Sequence, residues 1–302
     1  LDADATALFA RVFREELSSN LEYSLDDHSD RYGTMISGGN KFLMQVREFA
    51  SAFPFASEWE WAVRRFAEHV RPDAYLLRAD WKGDNLLAVG VYCRFPYEPS
   101  DDTFRHAVNR ARPLNWSGPS LQAVGKVLGT DGPRGIAFRV DRSGRYRSSV
   151  YFKLGAERTR LGPTACHDLV RVCGFAEDVA DMILQDVSNL YPPGPLGVIG
   201  LDDGPEGIAG SLKFNPANVF LPRALQFLSS KGIAERAIRR VVHMARLLRA
   251  RWLSYLGLKY DSGGFIGWRT YYSYETNRLP AAGSFRIVSE RSPLPTLRLP
   301  HY

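Results

Sequence analysis

The sequence has little cysteine, little lysine and no long hydrophobic run. Its three cysteines, Cys93, Cys166 and Cys173, lack CxxC spacing, which argues against both a disulfide framework and a zinc site. Cys166 and Cys173 lie seven apart on one helix face with Leu169 and Val170, the pattern of a core. No stretch of about 18 apolar residues occurs, so no transmembrane helix is expected. There is no GxGxxG, P-loop, GxSxG or HExxH motif. The six histidines show no ligand spacing, which argues against a metal hydrolase. The opening LDADATALFARVF is acidic and then amphipathic, unlike a signal peptide. These absences point to a soluble, cytoplasmic protein.

What is present is ordinary globular material. The 302 residues are 45% hydrophobic and 24% charged, enough for a full-sized core. A single domain over residues 1–302 is expected. The net charge is +6, and the basic residues are lopsided: seven lysines (41, 82, 126, 153, 213, 231 and 259) against 32 arginines. So modest an excess is weak support for nucleic acid.

Amphipathic helical stretches alternate with hairpin-like strand pairs. Helices are predicted at 3–18, 41–52, 56–71, 102–112, 119–128, 163–173, 176–190, 219–229 and 233–250. Strand pairs are predicted at 74–81 with 85–95, 135–140 with 145–154, 196–201 with 208–215, and 252–261 with 265–275. A fifth pair would come from 21–25 with 32–37, or from a tail strand at 284–289. Hairpins joined through helix pairs imply an α+β fold with antiparallel strands, not a Rossmann sheet. Their edges must be hidden, and a barrel inside a ring of helices hides them.

In a strand every second side chain shares a face. One face of each hairpin is apolar: Leu87, Val89, Val91, Cys93 and Phe95, for example, or Ile266, Trp268, Thr270 and Tyr272. The other carries a basic residue with tyrosines and small residues. It reads Ala88, Gly90, Tyr92, Arg94; then Arg147, Ser149, Tyr151, Lys153; then Ser211, Lys213, Asn215; then Tyr255, Gly257, Lys259, Asp261; then Gly267, Arg269, Tyr271, Ser273. On one strand this fits a solvent-facing surface. Four hairpins sharing it, with few acids and many Tyr, Gly and Ser, favour an enclosed lumen. Clustered cations hold a strongly anionic group such as a diphosphate. Tyrosine faces stabilise a carbocation by about 0.5–2 kcal/mol each. A closed lumen keeps water from quenching it. Ionising an allylic diphosphate requires all three.

The pattern resembles the soluble aromatic prenyltransferases of the ABBA family, over residues 41–275. The resemblance rests on LLAVGVYCRFP, RYRSSVYFKL, SLKFN, LGLKYD and GWRTYYSYE. The K-x-Y and R-x-Y arrangements of that family resemble Tyr151-Phe152-Lys153 and Arg269-Thr270-Tyr271. It implies a ten-stranded antiparallel β-barrel surrounded by α-helices, built from repeated helix-pair and hairpin units. It also implies transfer of a prenyl group, dimethylallyl or geranyl, from an allylic diphosphate to an aromatic small molecule or aromatic amino-acid derivative. Arg94, Arg147, Lys153, Lys213, Lys259 and Arg269 would then bind the diphosphate. Tyr92, Tyr151, Tyr255 and Tyr271 would shield the cation. Asp80, in lumen phase with residues 76 and 78, is the candidate base; its alternative role is to pair Arg78 or Arg94. No cofactor is required, although some members of the family use Mg²⁺ and others do not. A monomer without nucleic-acid or membrane partners is expected.

Two features compete. Asp26-Asp27-His28-Ser29-Asp30 spells DDxxD, a magnesium-diphosphate motif of all-helical isoprenoid synthases, but it lies in a polar connection rather than on a helix. The helix ERAIRRVVHMARLLRAR (235–251) sets Ile238, Val241, Ala245 and Leu248 against Arg236, Arg239, Arg240, His243, Arg246 and Arg249. It could grip a phosphate backbone or lie on a membrane surface. A solvated outer helix fits it better. The alternatives are thus a basic nucleic-acid-binding protein or a non-catalytic barrel for a small ligand. Convergence of Lys153, Lys213 and Lys259 in one cavity separates these from the enzyme.

Overall fold

The computed structural model describes residues 21–26, 31–38, 46–47, 57–82, 85–95, 101–110, 116–154, 161–190, 196–205 and 207–274. The expected helix at 3–18, most of that at 41–52 and the tail strand at 284–289 lie outside them.

The described strands are β1 (Leu21–Asp26), β2 (Arg31–Gly38), β3 (Ala74–Lys82), β4 (Asn85–Arg94), β5 (Gly135–Asp141), β6 (Tyr146–Phe152), β7 (Leu196–Asp202), β8 (Ser211–Phe220), β9 (Trp252–Asp261) and β10 (Gly264–Tyr274). The described helices are α1 (Ser57–Val70), α2 (Asp101–Arg110), α3 (Leu121–Leu128), α4 (Pro163–Val172), α5 (Glu177–Asn189), α6 (Leu221–Ser230) and α7 (Glu235–Leu247). All strand pairing is antiparallel, in the order β1-β10-β9-β8-β7-β6-β5-β4-β3-β2. β1 bonds to both β10 and β2, so the sheet curls until it meets itself. The hairpin 21–26/31–38 makes that junction. Among the described residues, the turns of the hairpins β5–β6 and β9–β10 fall at one end of the curl and the helices between strands at the other. Gly264, at φ 110°, stands where a side chain would be strained.

The apolar face of each strand lies under the helices. Phe66 of α1 packs against Phe138 of β5 at 5.0 Å between ring centroids, and against Phe95 and Phe104 at 6.0 and 6.1 Å. Trp59 donates from Nε1 to the Phe138 carbonyl at 3.1 Å, so its one polar atom is satisfied in the core. Each such buried side chain contributes about 1.5–3 kcal/mol. Cys166 and Cys173 are buried, and burial pushes both thiols up to about 12, as inert core residues require.

Two residues assigned to the apolar face are displaced by bulges. Between Asp80 and Trp81 the register slips, so Leu86 opposes Trp81 and is fully buried while Leu87 is half-buried. Between Phe265 and Gly267 a second slip leaves Ile266 exposed and packs Phe265 on the core. An extra residue in one strand reverses the alternation beyond it. The third return strand also starts later than the sequence suggests, at Ser211, and runs on through Pro216 to Phe220.

Candidate active site in the barrel lumen

Residues directly opposite in an antiparallel pair share a face. Following those pairs reconstructs the lumen. One row runs Tyr151, Gly200, Lys213, Lys259, Gly267. The next runs Tyr92, Ala137, Ser149, Asp202, Ser211. A third runs Tyr255, Tyr271, Ser24, Gly33, Asp80. Gly257, Arg269 and Asp26 form another, and Arg78, Gly90, Arg139 and Arg147 a last. The lumen phase expected from alternation is therefore one continuous surface.

That surface is layered. On β6, Arg147 lies nearer the hairpin turn and Tyr151 nearer the helical end. On β9 Lys259 precedes Tyr255 in the same sense, and on β10 Arg269 precedes Tyr271. The offset is two to four residues, about 7–13 Å at the rise of a strand. An anion among the cations would thus place its organic chain among the tyrosines. There Tyr92 meets Tyr151 edge-on at 5.1 Å, and Tyr255 meets Tyr271 edge-on at 6.3 Å. The glycines keep the space open: a Cβ on Gly200 would sit 2.9 Å from the Tyr151 ring, and one on Gly257 2.9 Å from Asn215 Oδ1.

The cations fall into two groups. In the first, Asp202 joins Lys213 and Lys259: Lys213 Nζ bonds Oδ1, and Lys259 Nζ lies 3.0 Å from Oδ2. Ser149 and Ser211 donate to the same carboxylate at 2.5 and 2.6 Å. Burial alone would raise the Asp202 pKa, but Lys213 and Lys259 together hold it well below the carboxylate range. Burial likewise opposes the charge on Lys213, yet Asp202 and the Tyr151 phenol outweigh it and keep its pKa above the ordinary lysine value. Lys213 Nζ sits 5.8 Å from the Tyr151 ring centre.

In the second group, Asp80 takes Arg78 at 2.6 Å and Arg139 at 2.9 Å. Arg269 pairs with Asp26 at 2.8 Å. Burial opposes the ionised Asp80, but Arg78, Arg139 and Arg269 overcome it and leave its pKa far below normal. Of the two roles expected of Asp80, base or partner of Arg78, this arrangement supports the pairing. A carboxylate held so low, with both oxygens on guanidiniums, is a poor proton acceptor at neutral pH. It orients Arg78 and Arg139. Its expected alternative partner Arg94 is instead bound to Asp73.

Lys213, Lys259, Arg269, Tyr92, Tyr151, Tyr255 and Tyr271 come together in the lumen, and Arg147 stands exposed at its turn-side rim. Arg94 and Lys153 do not join them. Arg94 ends β4 at the helical end, about half exposed, with Nε and Nη2 each 3.0 Å from the Asp73 carboxylate. Lys153 lies one residue past β6 and is exposed. Two of the three lysines thus converge and the third does not. Asp202, Arg139 and Asp26 were missed as site residues. Continuing the alternation through 137 and 139, and through 198, 200 and 202, reaches the first two. Of the DDxxD stretch only Asp26 is described. It ends β1, paired with Arg269.

The rival helix α7 buries Ala237, Ile238, Val241 and Ala245 and exposes Arg236, Arg239, His243 and Arg246, while Arg249 lies past its end at φ 52°. Arg239 pairs with Glu235 at 2.9 Å, and Tyr272 of the barrel donates to the Val241 carbonyl at 3.0 Å. It is an outer helix with a charged outer face.

Depressed carboxylates make stability fall in acid. The folded pKa values of Asp80 and Asp202 lie below the unfolded value of about 3.9, so their pairs stabilise fully above it and lose that contribution as pH falls through the folded values. The urea midpoint is expected to hold between about pH 7 and pH 5 and to drop steeply by about pH 3. Asp80→Asn should shallow that drop.

No protein-family model matches the sequence, and no curated protein matches it. Solved structures do. The 5-dimethylallyltryptophan synthase from Streptomyces coelicolor matches with a TM-score of 0.57 at 13% identity, covering 89% of this chain and 91% of that one. The prenyltransferase PriB in its apo form matches at 0.58 and 15% identity, covering 89% of each chain. The 6-dimethylallyltryptophan synthase from Micromonospora olivasterospora, in complex with DMASPP and Trp, matches at 0.52 and 13% identity, covering 83% and 80%. At these identities the likeness establishes a shared fold: the chain has the curled antiparallel sheet ringed by helices of these aromatic prenyltransferases. None of the helices described is long and apolar enough to cross a membrane.

Proposed function

We propose that this protein transfers a prenyl group, dimethylallyl in the first instance and geranyl as the alternative, from an allylic diphosphate to an aromatic acceptor by electrophilic substitution. The observation that carries this is the layered lumen, with Lys213, Lys259 and Arg269 on the same strand faces as Tyr151, Tyr255 and Tyr271. Structures of the same fold are named for dimethylallyltryptophan synthesis, and one holds DMASPP and Trp. The acceptor class that follows is tryptophan or a related indole. In this reading residues 1–302 form one ten-stranded ABBA barrel of repeated helix-pair and hairpin units, acting as a cytoplasmic monomer.

Lys213, Lys259, Arg269 and the rim residue Arg147 take up charge as the C–O bond breaks, supported by Arg78 and Arg139. The faces of Tyr92, Tyr151, Tyr255 and Tyr271 receive the allylic cation while the barrel excludes water. Burial holds the Tyr92 phenol well above its ordinary pKa, so it stays neutral. The acceptor ring attacks the cation and then loses a proton. The rim residues Asp141 and Asp261 are committed to turn amides. We assign the proton to the departing diphosphate, since the lumen carboxylates whose side chains are described, Asp26, Asp80 and Asp202, are each paired with a cation.

A Mg²⁺ site does not fit the described lumen. Among the described residues no cluster of three His, Cys, Asp or Glu could hold a metal, and Asp26, Asp80 and Asp202 each already have a cation. Ammonium and guanidinium groups supply the countercharge instead.

Incubation with dimethylallyl and geranyl diphosphates and a panel of tryptophan derivatives, indoles and phenols, read by mass, tests the proposal. The expected result is an acceptor heavier by one prenyl unit together with released diphosphate. Binding of the diphosphate without turnover on any acceptor would support a non-catalytic ligand-binding barrel instead.

A further inference from the structure

Lys213 and Lys259 stand directly opposite each other on β8 and β9, where two like charges repel. What makes the juxtaposition tolerable is Asp202. Its two oxygens divide the two ammoniums, and its remaining lone pairs are taken by Ser149 and Ser211, so four donors from β6, β8 and β9 close on one carboxylate of β7. All five side chains share the lumen face. The same arrangement has a cost for any anion that enters. The carboxylate already satisfies the ammoniums such a ligand needs, and its negative charge repels the ligand across a partly buried space. Removing Asp202 would loosen the protein and tighten the anion.

We propose that Asp202 is a resident counter-ion of the lumen, a positioning residue that holds Lys213 and Lys259 in place before a diphosphate arrives and weakens their grip on it afterwards. The proposal rests on the reading of the lumen as a diphosphate site and adds a property to it. A site with bare lysines would hold the released diphosphate too long. Asp202 competes for the lysines and returns them to their resting pairs when the product leaves.

Asp202→Asn tests this, because the amide keeps the size of the side chain and the serine hydroxyls can turn to serve it as donors or acceptors. The probe is inorganic diphosphate, titrated by calorimetry at fixed ionic strength, with the thermal midpoint of the free protein measured alongside. The expected result is opposite signs: the Kd falls at least tenfold while the midpoint of the free variant drops. A merely structural carboxylate would lower stability and leave affinity unchanged or weaker.

A second comparison covers the case in which Asp202→Asn does not fold. Lys259→Met alone leaves Lys213 neutralised by Asp202, so it should lose most diphosphate affinity. Adding Asp202→Asn to Lys259→Met removes both the repulsion and the competitor, so the double variant should fold and bind at least tenfold tighter than Lys259→Met. No tightening in either comparison, with wild type binding diphosphate normally, overturns the counter-ion role and leaves the diphosphate site standing. Failure of wild type and every variant to bind diphosphate overturns both.

Discussion

Lys213→Met is expected to lower prenyl-transfer turnover by about 10²–10³-fold, the scale lost when one preorganised charge is removed from a developing anion. Lys213 is the most enclosed of the lumen lysines and is held by Asp202, Ser149 and the face of Tyr151. The variant should also be less stable. With Lys213 gone, Asp202 keeps Lys259 and the serines but loses its closest partner, at a cost of about 1–3 kcal/mol. Lys259→Met should separate the two effects. Lys259 is more exposed than Lys213 and only one of the four groups on Asp202, so turnover falls on the same scale while the urea midpoint moves little. Single-turnover rates and urea denaturation of the two variants side by side make the check. Two variants that are equally unstable and equally active would place the lysines in a structural role.

Asp186→Ala is expected to destabilise the protein by about 3–5 kcal/mol without a specific effect on the lumen. Asp186 is buried on α5, outside the barrel. It lies 2.5 Å from Lys231 Nζ and accepts from the Tyr260 hydroxyl at 2.9 Å. Lys231 itself stands over Phe227 and Phe265, at 5.7 and 5.3 Å from their ring centres. The carboxylate thus ties α5, β9 and the residue after α6 together through one point. Its loss leaves an ammonium between two aromatic rings and a phenol in the core, both without their partner. For a chain of this size such a loss lowers the melting temperature by roughly 5–8 °C. Calorimetric melting of Asp186→Ala beside Asp186→Asn gives the check. The amide can still accept from Tyr260 and should recover part of the loss.

Much of this was legible because a strand repeats every two residues. The shared phase of Lys213, Lys259, Arg269, Tyr92, Tyr151, Tyr255 and Tyr271 follows from counting within single strands, and the register keeps it. Counting fails where a strand ends or slips. Arg94 and Lys153 have the right phase but stand at or past strand ends, where solvent competes for them. Leu87 and Ile266 sit on bulges, which periodicity does not reveal. Partnership across strands is less legible still. Arg269 and Asp26 meet because β1 closes against β10, a contact spanning almost the whole described chain. Asp202 sits in an Asp-Asp-Gly-Pro run that reads as a turn, so its place as the centre of the lysine pair is a product of register. Asp80 and its pairing with Arg78 follow from phase within one strand, but its second partner does not, because Arg139 comes from a strand separated from it by α2 and α3.

The central claim is that one small diphosphate binds inside the barrel, with its prenyl chain among the tyrosines. A crystal structure with the thio analogue of dimethylallyl diphosphate tests it most directly. The account predicts phosphate oxygens at about 2.7–3.0 Å from Lys213 Nζ, Lys259 Nζ and the Arg269 guanidinium, with the five-carbon chain against Tyr151, Tyr255 and Tyr271. A diphosphate bound instead beside the exposed Arg94 and Lys153, or along the arginines of α7, would contradict it.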